Sequence, residues 1–113
     1  MPSDTPLVDT LTSMTAASLE ACDLDPRELM VARIAALIAT AASPASYLLN
    51  AGAAVDSGIT LEDVQGILIA VAPIAGTPRT LEGAANIAKA LGFAVAVAEA
   101  ELEAELEEEE ADG

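Results

Sequence analysis

Histidine and tryptophan are absent from this chain, and its aromatic residues are Tyr47 and Phe93 alone. Without histidine, a Ser-His-Asp triad, a Cys-His pair and any histidine-ligated metal site are excluded. Cysteine occurs once, at Cys22, so an intrachain disulfide and a redox dithiol within one chain are excluded too. A lone cysteine in a helical segment is usually a small buried apolar residue; the other reading is a reactive or intermolecular thiol. Bases are scarce: four Lys and Arg stand against 19 Asp and Glu, for a net charge of −15. That balance argues against nucleic acid as a partner, because phosphates need Lys and Arg. We expect no metal and no cofactor.

Long apolar runs are nearly absent as well. From Leu29 to Leu49 the only charged residue is Arg33, a length close to the roughly 20 residues that span a bilayer. Much of that stretch is Ala, Ser and Thr, and Ser43-Pro44 interrupts it, so two helices explain it better than one membrane span. Residues 1–10 carry Asp4 and Asp9, no base and no apolar core, unlike a signal peptide. The expectation is a cytoplasmic protein with no membrane partner.

What the chain has in excess is alanine, 26 of 113 residues, within an apolar fraction of 53%. That fraction is too high for a disordered chain, and the length suits one domain. The charge is uneven. Residues 99–112 hold nine of the 19 acids and no base, leaving 10 acids and four bases, or −6, in residues 1–98. We expect one helical domain over 1–106 and a disordered acidic tail over 107–113. Like charges three and four apart weaken a helix by a few tenths of a kcal/mol per pair, so fraying is expected beyond Leu106.

Helix punctuation recurs along the chain. Residues 7–22 form a weakly amphipathic helix through Leu7, Leu11, Met14 and Leu19. Asp25-Pro26-Arg27-Glu28 sets an N-cap Asp, a first-position Pro and a Glu three after the cap. Behind it runs a stripe of Met30, Ile34, Leu37, Ile38 and Ala41. Ser43-Pro44 opens a helix to about Asp56. Thr60 caps the next, with acids in its first turn and Ile59 placed to staple against Val64. Val64, Ile67, Leu68 and Val71 give that helix an inward face, and Ile69 and Ala72 predict burial nearly all round. Pro73 predicts a kink or an early end. Gly76-Thr77-Pro78 stops one helix and starts another, whose stripe is Ala84, Ile87, Ala88 and Leu91. Gly92 either ends that helix or permits close packing inside a longer one. Continuation is the preferred reading, since Leu91, Val95, Ala98, Leu102 and Leu106 keep one stripe running.

The fold class is therefore all-α, with five or six short helices. Burying a Leu or Ile yields roughly 1.5–3 kcal/mol and an Ala far less, and a chain this small leaves much surface exposed. Several helices are apolar beyond one stripe. The simplest resolution is a homo-oligomer with alanine faces at the contacts.

One stretch has a distinctive cadence. Residues 43–50 read Ser-Pro-Ala-Ser-Tyr-Leu-Leu-Asn; Gly58-Ile59-Thr60-Leu61-Glu62-Asp63 and Ala75-Gly76-Thr77-Pro78 follow. With Asp25-Pro26-Arg27-Glu28-Leu29 ahead of it, the pattern resembles the carboxymuconolactone decarboxylase family, which includes the alkylhydroperoxidase D-like proteins. The resemblance covers residues 24–92, about 60% of the chain. It implies an alkylhydroperoxidase D-like helical bundle assembled as trimers or hexamers.

The family's chemical positions are replaced. Its Cys-x-x-Cys-x-x-x-His falls on Ser43, Ser46 and Asn50. A serine oxygen cannot cycle between thiolate and disulfide, and an amide cannot take a proton near neutral pH. The family's upstream Glu falls on Val31; Glu28 lies one turn earlier, where a capping role is sufficient to explain it. Ser43 reads first as an N-cap, and Ser46 as an ordinary first-turn residue. Asn50 is uncomfortable inside a helix and is a candidate for a small pocket shared with Tyr47, whose commoner use would be core packing. Arg33, inside an apolar helix, needs an anionic partner, either Glu28, an acid on another helix, or a substrate carboxylate. Arg79 opposes the dipole of its helix and calls for a specific partner. Asp56-Ser57 echoes acyl carrier proteins, but Gly58 stands where a Leu or Ile follows there.

The functional expectation is a homo-oligomeric binding or structural module without thiol peroxidase chemistry. Its pocket candidates are Ser43, Ser46, Asn50 and Glu28, with Arg33 and Tyr47 added, and a small molecule is the ligand considered. Two alternatives stand beside it. One is an enzyme of altered, decarboxylase or lactone-type chemistry on a small carboxylated substrate. The other is a pure assembly scaffold.

Overall fold

The structure, a computed structural model, describes the backbone of residues 4–112 and the side chains of 4–92 and 99–110. It is all-helical, with no strand among the described residues. The helices are α1 (Pro6–Ala21), α2 (Pro26–Ala39), α3 (Pro44–Asp56), α4 (Leu61–Ala75) and α5 (Thr77–Asp112).

The helix starts follow local chemistry. Asp25 accepts from the Glu28 amide at 2.9 Å and Pro26 takes the first position of α2. The Glu28 side chain is exposed and does not complete a capping box. That box is found at α4 instead: Thr60 Oγ1 accepts from the Asp63 amide at 3.1 Å, and Asp63 accepts from the Thr60 amide at 2.9 Å. Both donors would otherwise be orphans of the first turn. Arg27 of α2 donates to the same Asp63 carboxylate, tying the starts of α2 and α4 together.

Four of the helices form the body. α2 and α5 pack on each other, and α3 and α4 each pack against both. The core between them is small. Met30 and Ile38 of α2 are its fully buried large side chains, joined by Ile34, Tyr47, Val64, Ile67 and Ile87. Alanines 51, 54 and 90 fill the close approaches. α1 packs on none of these helices and buries none of its residues. The radius of gyration is 16.6 Å, with a long extent of 56 Å. A compact chain of this length would measure about 13 Å. A 36-residue α5 and an α1 that buries none of its residues lengthen the molecule.

Several expectations need correction. The α2 stripe ends before Ala41: the helix stops at Ala39, and Ala41 takes φ 53°, outside it. Pro73 neither starts a loop nor ends α4, which runs on to Ala75 and stops at Gly76 with φ 90°. Pro73 removes the amide that would bond to the carbonyl four residues back, yet the chain stays helical for two residues beyond it. α4 is not buried all round, because Ile69 is 74% exposed in the single chain. The buried face of α5 is Gly83, Asn86, Ile87 and Ala90, rotated from the predicted stripe so that Ala88 is exposed. At Gly92 the preferred reading holds, since α5 continues through it, and no atom among the described residues would meet a Cβ there. α5 also continues past Leu106 to Asp112, through Glu and Ala residues of good helix propensity. Val95 and Ala98 of the predicted stripe lie outside the described side chains.

No helix among the described residues is long and apolar enough to cross a membrane.

Candidate functional site

The residues at 43–50 begin α3. Ser43 has the extended backbone of an N-cap (φ −67°, ψ 156°), but its hydroxyl makes no cap bond. Its Oγ lies 3.3 Å from Ser46 Oγ instead, so the two hydroxyls placed at the family's cysteine positions are neighbours. Ser43 is exposed and Ser46 half-buried. Asn50 sits one turn on. Its Nδ2 donates to the Ser46 carbonyl at 2.9 Å, which explains how an amide is tolerated inside the helix. One Nδ2 hydrogen and Oδ1 remain for other partners.

Asn50 and Leu37 together line two hollows. The inner one is an apolar cavity of about 30 Å³ bounded by Ile34, Tyr47, Ala54, Val64 and Ile87 among others. It is large enough for one water, and its lining is mostly apolar. Tyr47 is buried there, and its phenol is held above the ordinary value, first by burial and then by the Glu82 carboxylate. Ile59 and Val64 both line this cavity.

The outer hollow is an open groove of about 280 Å³ between α1, α2 and α3, lined by Thr15, Arg33, Ala36, Leu37 and Asn50. Arg33 is half-buried and pairs neither with Glu28 nor with another acid among the described residues. It donates from Nη2 to Ser18 Oγ at 3.1 Å. The expected counter-charge is therefore missing from the described fold, and a hydroxyl on α1 stands in its place.

The structure thus brings Ser43, Ser46 and Asn50 into one row, has Tyr47 share the inner hollow with Asn50, and has Arg33 share the outer groove with it. It leaves Glu28 outside: that side chain lines neither hollow. Arg79 finds the specific partner its position called for. Its Nη1 donates to the Ala39 carbonyl at 2.9 Å, satisfying the end of α2. Cys22 is half-buried against the core.

Two residues were missed from sequence. Thr15 enters the groove, and the signal for it was only that α1 is amphipathic. Asn86 is buried at 8% exposure, in register with Gly83 and Ala90 on α5, so its helical spacing could have revealed it.

Compared with protein-family models, with curated proteins and with solved structures, this chain has no match.

Proposed function

We propose that the chain is a homo-oligomeric, carboxymuconolactone decarboxylase-like binding or structural module, a trimer or hexamer without thiol peroxidase chemistry. The observation that carries the assembly is the set of large apolar side chains left on the outside of a small core. Leu49 is 81%, Ile69 74% and Ile74 84% exposed, and α1 adds Leu7 and Met14 at 69% and 62%. Isolated exposed leucines are ordinary, but exposure spread over α1, α3 and α4 of one short chain marks surface that gains by association.

The groups present support the absence of thiol peroxidase chemistry. Ser43 and Ser46 adjoin but carry oxygen, not sulfur, and Asn50 spends one amide hydrogen on its own helix. No group in that row takes up a proton near neutral pH or forms a disulfide. The test is peroxide consumption with a dithiol donor. We expect no turnover above the uncatalysed rate, and robust turnover would refute the reading.

A further inference from the structure

We infer that the far half of α5 is a docking surface for a basic amphipathic helix of another protein, with Leu102 and Leu106 as its apolar stripe and the glutamates beside them selecting the partner's charge. The surface exists because α5 outruns its neighbours. It has 36 residues, about 54 Å of helix, whereas α2, α3 and α4 have 14, 13 and 15, about 20 Å each. Among the described residues its last buried side chain is Ala90, and every described side chain from 99 to 110 is exposed. Leu102 and Leu106 are 57% and 50% exposed and lie four apart, on one face of the helix. A helix in a protein draws most of its stability from packing an apolar face, and this face has no neighbour in its own chain among the described residues.

Charge decides what covers that stripe. At about 3.6 residues per turn, Glu99, Glu103 and Glu110 run along one side of the two leucines and Glu105 and Glu109 along the other. These are the flanking positions whose charges set partner choice where two helices pair. The chain has no base placed to answer them. Arg27 is paired with Asp63, Arg33 donates to Ser18 and Arg79 donates to the Ala39 carbonyl. Lys89 lies ten residues before Glu99, about 15 Å away along the axis. A second copy would set its own eight glutamates of residues 99–110 against these eight, and like charges across a helix pair oppose association. A helix with Leu or Ile on one face and Lys or Arg on both flanks reverses that sign. It covers the stripe, its bases meet the glutamates, and it relieves the repulsion between acids three and four apart within α5. This surface is separate from the one that carries the assembly, where Leu49, Ile69 and Ile74 stand on α3 and α4.

The test titrates the full chain into a fluorescent three-heptad synthetic peptide with Leu at a and d and Lys at e and g, and follows anisotropy at low salt. One control peptide keeps the lysines and replaces every Leu by Ser; another keeps the leucines and replaces every Lys by Glu. We expect saturable binding of the first peptide, with the leucine-free one weaker by about tenfold or more and the acidic one weaker still. Leu102→Ser combined with Leu106→Ser should lose about tenfold or more in affinity. Both side chains are exposed, so the body of the variant keeps its fold. Glutamine at Glu99, Glu103, Glu105, Glu109 and Glu110 should weaken binding comparably and reduce its dependence on salt. Equal binding of the leucine-free peptide would reduce the surface to an unspecific polyanion and overturn the assignment. So would equal binding of the acidic peptide, full affinity in the double Leu variant, or no saturation at about 0.1 mM peptide. The mass of the chain alone gives the remaining outcome: if the double Leu variant lowers it, a second copy occupies the stripe and the assignment falls, whereas an unchanged mass upholds it.

Discussion

A methyl group added at Gly83 would lie 3.0 Å from Ile38 Cγ1, closer than the packed neighbour can accept without moving. Ile38 is fully buried, and Tyr47 Oη would stand 3.2 Å away on the other side. Here α5 comes close to both α2 and α3. Helix propensity alone favours Gly83→Ala by about 1 kcal/mol. Overpacking costs typically 1–3 kcal/mol, so the variant should be less stable on balance. At Gly92, where a Cβ would meet nothing, the same substitution should stabilise by about 0.5–1 kcal/mol. Denaturant midpoints of the two variants should move in opposite directions.

The α4 cap gives a second expectation, with a definite pH sign. Thr60→Ala removes the hydroxyl acceptor and should cost about 1 kcal/mol, a fall in Tm of roughly 5 °C. The Asp63 carboxylate is held below the ordinary range, mainly by the Thr60 backbone N–H; burial opposes this as the next largest effect, and the Thr60 hydroxyl and Arg27 each add a smaller lowering. A lowered folded value means its contribution is complete above the unfolded value and is lost as pH falls through the folded one. Stability should therefore drop with acidification below about pH 4, and Asp63→Asn should flatten that part of the profile of Tm against pH.

Ala41 offers the reverse case, a gain. It holds φ 53° just beyond α2, a region that L-residues enter at a cost of roughly 1 kcal/mol. Its neighbours close the turn, with the Ala42 amide donating to the Leu37 carbonyl at 3.0 Å. Ala41→Gly should raise stability by about 1 kcal/mol, read as a higher denaturant midpoint with an unchanged slope.

The acidic end of α5 should respond to salt. Eight glutamates lie between residues 99 and 110 with no base among them. Each pair three or four apart costs a few tenths of a kcal/mol, a repulsion that salt screens as the Debye length falls from about 10 Å to about 3 Å. Helicity by far-UV circular dichroism should rise between low and molar salt. Replacing Glu107, Glu108, Glu109 and Glu110 by glutamine should raise it at low salt and reduce the response.

Helix starts were legible because their chemistry is local: an Asx or Thr side chain, a proline, an acid three positions on. Asp25-Pro26 and Thr60-x-x-Asp63 open their helices where they were expected. The end of α2 was not legible, because a non-glycine residue takes the left-handed turn at Ala41 and leaves no signal. Pro73 misled because a proline's cost, one lost bond and a clash with the carbonyl four residues back, does not by itself stop the next residues from staying helical. The buried face of α5 was misjudged because Ala and Gly line it, and residues that small carry little periodic signal. At the site, Ser43, Ser46 and Asn50 fell into one row because helical spacing dictates it. The lack of an acid beside Arg33 is a fact of tertiary packing that no spacing along the chain could show.

Mass in solution tests the central claim most directly. Sedimentation equilibrium at low micromolar concentration should give three or six times the 11.4 kDa chain mass. Substituting Leu49, Ile69 and Ile74, exposed in the single chain, by glutamate should lower that mass while the chain stays helical. A stable species at the single-chain mass under those conditions would contradict the account.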